Sequence, residues 1–210
     1  MAIGPYSLLI LLCLTSALSS TRVPLIGADW TISSIGGNYT IPARIPGTIH
    51  TNLLAADRIP EPYLGYNDVS LRFLVYSNWV FAKNFSLPAA ILASDQIILR
   101  FEQIDTVADI SINACPIGST NSMFVPYAFR VASSCLSLDN QIRIVFQSPV
   151  IYAADQAKAY NDSVPPNCTA EVQNGECHVQ FIRKEPCSFS WDWVSKNGTL
   201  SRSLERFSLF

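Results

Sequence analysis

Alternating apolar and polar residues dominate the middle of this chain. From Asn78 to Leu87, the residues Trp79, Phe81, Lys83, Phe85 and Leu87 share one face, and Asn78, Val80, Ala82, Asn84 and Ser86 share the other. A period of two is the mark of a half-buried strand, here with Asn84 on the side that reaches solvent. Gln96 to Gln103 repeats it with Ile97, Leu99 and Phe101. Val107 to Ala114 does so with Ile110 and Ile112, and Cys115-Pro116-Ile117-Gly118 ends the run. Met123 to Val131 is another strand, interrupted by Pro126, which lacks the N–H of a central strand and so marks an edge or a bulge. Gln141 to Gln147 sets Ile142, Ile144 and Phe146 against Arg143 and Val145, and Cys177, Val179 and Phe181 repeat the spacing.

One segment departs from this period. After Pro46-Gly47, the stretch Thr48 to Arg58 places Ile49, Leu53 and Leu54 at helical spacing with Thr48 as a cap, which predicts one short helix. Ala153 to Glu176 is polar, carries Pro165-Pro166, and reads as a long surface excursion. Short strands punctuated by Pro, Gly and Asn, with a single helix, predict an all-β antiparallel β-sandwich or jelly roll.

Composition narrows the function classes. The chain has 210 residues and a net charge of −2, and none of its charged side chains falls in the first twenty positions. The charge balance excludes the basic excess of a nucleic-acid binder, and the apolar content excludes a disordered chain. The remaining residues suffice for one sizeable core.

Ser7 to Leu14 reads SLLILLCL and is followed by the small residues Thr15 to Ser20. This has the form of a signal peptide over 1–20, although its n-region has no Lys or Arg; a buried N-terminal helix is the competing reading. The run is too short to cross a ~30 Å hydrocarbon layer, and no later stretch predicts a membrane anchor. Asn-X-Ser/Thr occurs at Asn38, Asn84, Asn161, Asn167 and Asn197, as expected of a luminal glycoprotein. Without Cys13, the cysteines are Cys115, Cys135, Cys168, Cys177 and Cys187, an odd number that leaves one thiol free or paired between chains. Cys168 and Cys177 flank a polar, Gly-containing loop and are the preferred disulfide, which would contribute roughly 2–3 kcal/mol. No metal is expected, because there is no C-x2-C pair and only two histidines, His50 and His178. No cofactor motif or nucleophile elbow occurs, and nothing marks any pair of carboxylates as special.

The conspicuous cluster is Arg183 to Trp193, RKEPCSFSWDW. In a strand, Phe189, Trp191 and Trp193 share a face while Ser188, Ser190 and Asp192 share the other. Two readings stand: a core strand that buries its rings, or a carbohydrate surface. In the second, indole faces stack on sugar C–H groups and a carboxylate accepts hydrogen bonds from vicinal hydroxyls.

At these residues the sequence resembles the N-terminal region of the lysosomal β-mannosidase family of retaining glycoside hydrolases. The resemblance runs through IPGTIHTNLL (45–54), IPEPYLGYND (59–68), SNWVFAKNFSLP (77–88) and DTVADISIN (105–113). It continues through IGSTNSMFVPYAF (117–129), IRIVFQSPVIYAADQAK (142–158) and PPNC…GECHVQFIRKEPCSFSWDW (165–193). It implies a galactose-binding-like jelly-roll domain over 21–193 and a catalytic pair of glutamates on a (β/α)8 barrel further along the chain. It also implies that Trp191 and Asp192 help to hold a terminal β-mannoside of a glycan at the barrel mouth, Asp192 as ligand to its hydroxyls. Cys168–Cys177 matches the family's disulfide in this loop. A lysosomal or secreted monomer, without metal or cofactor, is expected.

After Trp193 the resemblance stops. A barrel of this type needs about 250 residues, so no catalytic residue is expected among these 210. Val194-Ser195 is what a splice-donor consensus encodes when read in frame. Residues 194–210 are therefore expected to be a non-family, intron-derived tail that leaves the sandwich without its closing strand. A free-standing lectin-like module is the alternative function.

Overall fold

A computed structural model describes residues 21–164 and 178–185, together with the backbone of 204–209. Two antiparallel sheets lie face to face. The larger has six strands in the order β3 (Thr40–Ile45), β2 (Gly27–Ser34), β4 (Trp79–Ser86), β9 (Asp139–Phe146), β6 (Val107–Ile112), β7 (Cys115–Asn121). The smaller has four, in the order β1 (Val23–Pro24), β10 (Leu204–Leu209), β5 (Ile97–Ile104), β8 (Tyr127–Val131). The described residues form four α-helices: α1 (Ile49–Ala55), α2 (Asn67–Ser70), α3 (Ala89–Leu92) and α4 (Pro149–Ala159).

The alternation read in β4, β5, β6 and β9 sorts side chains as expected. Phe81, Leu99, Phe101, Ile110, Ile112, Ile142 and Ile144 are buried between the sheets, where each large side chain contributes roughly 1.5–3 kcal/mol. Trp30 and Trp79 are also buried; their indole N–H groups donate to Leu25 O at 2.8 Å and Leu74 O at 2.9 Å, so neither ring leaves a polar atom unpaired. Thr48 caps α1 as its position predicts: Thr48 Oγ1 accepts from Thr51 N at 3.0 Å, and Thr51 Oγ1 accepts from Thr48 N at 2.8 Å. Before it, Gly47 lies so close to Arg44 O that an added Cβ would sit 2.5 Å away, which explains a glycine there.

Several expectations change, the single predicted helix among them. Cys115-Pro116-Ile117-Gly118 does not end a strand but starts β7, because Asn113 (φ 51°) and Ala114 (φ 65°) form a two-residue hairpin turn. Pro116 is tolerated there because β7 is the edge of its sheet. Ala153 to Glu176 is not loop throughout, since α4 runs to Ala159. Ser148 caps it by accepting from Ile151 N at 3.1 Å, Pro149 opens it, and it buries only Val150 and Ala153. That narrow apolar stripe is why the segment reads as polar. Val179–Phe181 is a 3₁₀ turn rather than a strand; three alternating residues are too few to fix a period. Met123 to Val131 contributes a strand only after Pro126, and β8 is an edge.

Within the tail expected to leave the sheet without its closing strand, Leu204–Leu209 supplies the backbone of β10. It runs antiparallel to β5 from Leu204↔Ile104 to Leu209↔Leu99, and its far edge pairs with β1 at Val23↔Leu209. A disulfide joins Cys115 on β7 to Cys135 after β8, with Cα atoms 5.8 Å apart and a sequence separation of 20. It staples an edge of one sheet to an edge of the other, and a loop of this length corresponds to about 3 kcal/mol in the chain-entropy account. Cys168, Cys177 and Cys187 lie outside the described residues.

Candidate sugar-binding site

Trp191 and Asp192 lie outside the described residues, as do Asn167 and Asn197. What the structure does place is the segment that leads to them. Ile182 is buried with Val75, Val107, Val150 and Ala153 in a small second core between α4 and the start of β6. The next residue, Arg183, forms a parallel bridge with Ser122, and its carbonyl accepts from Met123 N at 3.0 Å. Its guanidinium lies 6.0 Å from the ring centre of Phe124, close enough for a cation–π contact.

Lys184 then turns inward. Its Nζ forms a salt bridge with Asp105 Oδ2, and the two side chains are only 3% and 1% exposed. Thr106 Oγ1 also donates to Asp105, and Thr106 O accepts from Thr120 Oγ1 at 2.9 Å. Asp105 and Thr106 form the short link between β5 and β6, so the ion pair ties the 183–185 segment to a corner of both sheets. A buried ion pair gains little over an apolar pair of the same shape, but removing one partner strands the other charge. The arrangement therefore fixes the 183–185 segment against the sandwich.

Beside the pair is a cavity of about 40 Å³, lined by Ile49, Leu74, Val75, Trp79 and Lys184 among others. Several large apolar side chains of the molecule are exposed, among them Tyr63, Leu64, Tyr66 and Phe124. Asp105 and Lys184 were not singled out by sequence, though each stands in a motif quoted above, DTVADISIN and RKEPCSFSWDW. A signal for their pairing would need contact information, because 79 positions separate them.

Midway along β4 is a second Lys–Asp pair. Lys83 Nζ donates to Asp29 Oδ1 at 2.7 Å; the lysine is 7% exposed and the carboxylate 63%. The hydrogen bond from Lys83 holds the Asp29 carboxyl below the usual carboxylate range. Lys83 also lies 5.9 Å from the Trp30 ring centre. Of the sequon residues, Asn38, Asn84 and Asn161 are exposed. Among the described residues no group of three or more His, Cys, Asp or Glu side chains is arranged to hold a metal ion, and no helix is long and apolar enough to cross a membrane.

The family model described as glycosyl hydrolase 2 galactose-binding domain-like matches residues 30–201. A beta-mannosidase of Bos taurus is 40% identical over 189 residues, 89% of this chain and 21% of that protein. The beta-mannosidase of Mus musculus is 38% identical over 169 residues, 80% of this chain and 19% of that protein. The chain thus spans about a fifth of the length of these relatives. Among solved structures, the beta-D-mannosidase from Dictyoglomus thermophilum superposes with a TM-score of 0.80 at 26% identity, covering 91% of this chain and 22% of that one. The exo-chitosanase from Amycolatopsis orientalis shares the fold, with a TM-score of 0.53 at 13% identity over 61% of this chain and 17% of that one.

Proposed function

This chain belongs to the glycosyl hydrolase 2 galactose-binding domain-like family, and from that premise we propose that its sandwich is the sugar-contacting, non-catalytic domain of a β-mannosidase. The observation that carries the reading is the 40% identity spread over 89% of the chain and confined to 21% of the bovine enzyme. The whole enzyme removes terminal β-mannose from the non-reducing ends of glycans. Hydrolysis of such a bond takes two carboxylates flanking the glycosidic oxygen, and in the full enzyme these stand on a barrel.

The part played by these 210 residues is to present Asp192 and Trp191 to the mannoside. Asp192 accepts hydrogen bonds from sugar hydroxyls, and Trp191 offers its ring to the C–H face. The buried Asp105–Lys184 pair supports this reading because it fixes the segment that precedes them. The domain occupies 21–193, after a signal peptide over 1–20 and before a tail over 194–210 that adds a strand to the smaller sheet. Cys168–Cys177 closes the loop ahead of the 178–185 segment. The chain is a monomeric glycoprotein of the secretory pathway or lysosome, carrying glycans at its sequons.

The test uses the purified 210-residue chain with a chromogenic β-mannoside and, separately, with methyl β-mannoside followed by ligand-observed NMR. The expected result is no hydrolysis and binding no tighter than millimolar, about −4 kcal/mol, lost in Asp192→Ala. Turnover would overturn the non-catalytic assignment. A micromolar affinity lost in the same variant would replace it with a free-standing lectin.

A further inference from the structure

β4 is held on both sides only over its first half. β2 pairs with it from Ser34↔Trp79 to Thr31↔Ala82 and then diverges toward β3, whereas β9 stays paired to the end, Ser86↔Asp139. Where β2 leaves, an open groove of about 760 Å³ runs beside Lys83–Ser86, with Val23–Leu25 on its far wall. Its floor and rim are polar, including Asn84, Ser86, Asn113, Asp139 and Gln141. These groups are already ordered by one another. Ser86 Oγ donates to Asp139 Oδ1 at 2.6 Å, and Gln141 N donates to Asn113 Oδ1 at 2.8 Å. Gln141 Nε2 donates to Asn84 Oδ1 at 3.0 Å.

Asn84-Phe85-Ser86 is a sequon whose asparagine lines this groove. Asn38 follows the Gly36-Gly37 turn between β2 and β3, and Asn161 lies just beyond α4, both on exposed backbone. The hydrogen bond from Gln141 goes to the Asn84 side-chain oxygen, which orients the amide and leaves its nitrogen, the atom that carries a sugar, clear of that contact. The second carboxylate oxygen of Asp139 and the Oε1 of Gln141 have no hydrogen-bond partner in the protein among the described residues.

We infer that the groove is the seat of the chain's own N-glycan at Asn84, whose first sugars lie along Asp139 and Gln141 instead of projecting into water. This rests on the reading that the chain enters the secretory pathway. Among the described residues the groove exposes no aromatic platform, since Phe85 is buried, and a row of amides with the carboxylates of Asp29 and Asp139 would hold a free sugar poorly. A glycan attached at Asn84 needs no such affinity, because the tether supplies a local concentration in the millimolar range. The seat is also at the far end of β4 from the Asp105–Lys184 anchor. Trp79 lines the cavity at the anchor and Ser86 lines the groove, a span of roughly 23 Å at about 3.3 Å per residue. A glycan held there leaves the Asp105–Lys184 anchor uncovered.

The test is site-resolved deglycosylation of the full chain secreted from a eukaryotic host. The native protein is digested with peptide-N-glycanase in heavy-oxygen water, and release at Asn38, Asn84 and Asn161 is followed by mass spectrometry. Release at Asn84 is expected to be about tenfold or more slower than at the other two, with less trimmed, high-mannose glycans, and denaturation should equalise the rates. Asp139→Ala with Gln141→Ala keeps the sequon and should speed release at Asn84 alone. Equal native rates at the three sites would overturn the inference, as would an empty Asn84 beside occupied Asn38 and Asn161. Absence of glycan at every site would instead sink the secretory reading on which it rests.

Discussion

Two lysine–aspartate pairs tie this sandwich together, one at the link between β5 and β6 and one midway along β4, with the same chemistry in different surroundings. At the first, Asp105 and Lys184 are 1% and 3% exposed, and almost no water reaches either charge. At the other, Lys83 is 7% exposed but its partner Asp29 is 63% exposed, so water shares the solvation of that carboxylate. The buried pair fixes position because each charge would be costly to strand; the half-exposed pair can lose its lysine and let the carboxylate turn to solvent. An ion pair's distance therefore says less about its role than the exposure of the partner left behind.

The largest expected effect is at the buried pair. Lys184→Met strands the Asp105 carboxylate and should cost about 3–5 kcal/mol, which lowers the melting temperature by roughly 10 °C for a domain of this size. Adding Asp105→Asn should restore most of that loss, since both charges are then gone. Thermal melts of the two single variants and the double variant check this; equal loss in single and double variants would break the comparison. At the half-exposed pair, Lys83→Met should cost less than about 1 kcal/mol. Asp29→Asn should cost more than Lys83→Met, because it leaves a buried ammonium without its carboxylate. Chemical denaturation of both variants reads the order, and the reverse order would mean that Lys83 is solvated in another way.

The smallest effect is in pH dependence. The hydrogen bond from Lys83 lowers the Asp29 pKa in the folded state relative to an unfolded value near 3.9. The folded state therefore binds this proton less readily than the unfolded state. The stabilisation is present above about pH 4 and disappears as pH falls through the lower folded value. Melting temperatures taken between about pH 2 and 5 should fall slightly less steeply in Asp29→Asn than in the parent chain. Identical slopes would show that the pair makes no differential contribution in that window.

The pairings behind this contrast were not legible in the sequence. Lys83 was placed on the face of β4 that becomes buried, but no local rule connects it to Asp29, 54 positions earlier. The segment 105–113 and the cluster 183–193 were both recognised as belonging to one family pattern, without any indication that Asp105 meets Lys184. The staple between sheet edges, Cys115–Cys135, was missed for the same reason. The cysteines flanking a visible loop, Cys168 and Cys177, drew attention, whereas two sheet edges meet only in three dimensions.

By itself the sequence determined the elements whose side chains repeat with the period of their own backbone. These include β4, β5, β6 and β9, with alternate residues buried, and α1 with Thr48 as its cap. Such patterns depend on neighbours two to four positions away, which the sequence holds directly. Tertiary structure decided which strand ends are paired on one side or both, which charges lose their water, and which edges are stapled. It also made the start of the polar-looking stretch from Ala153 the second half of α4, because only Val150 and Ala153 needed a core to meet. The physical reason is that solvation and packing are properties of what surrounds a group, and for Asp105, Lys184 and Asn84 those surroundings come from distant parts of the chain.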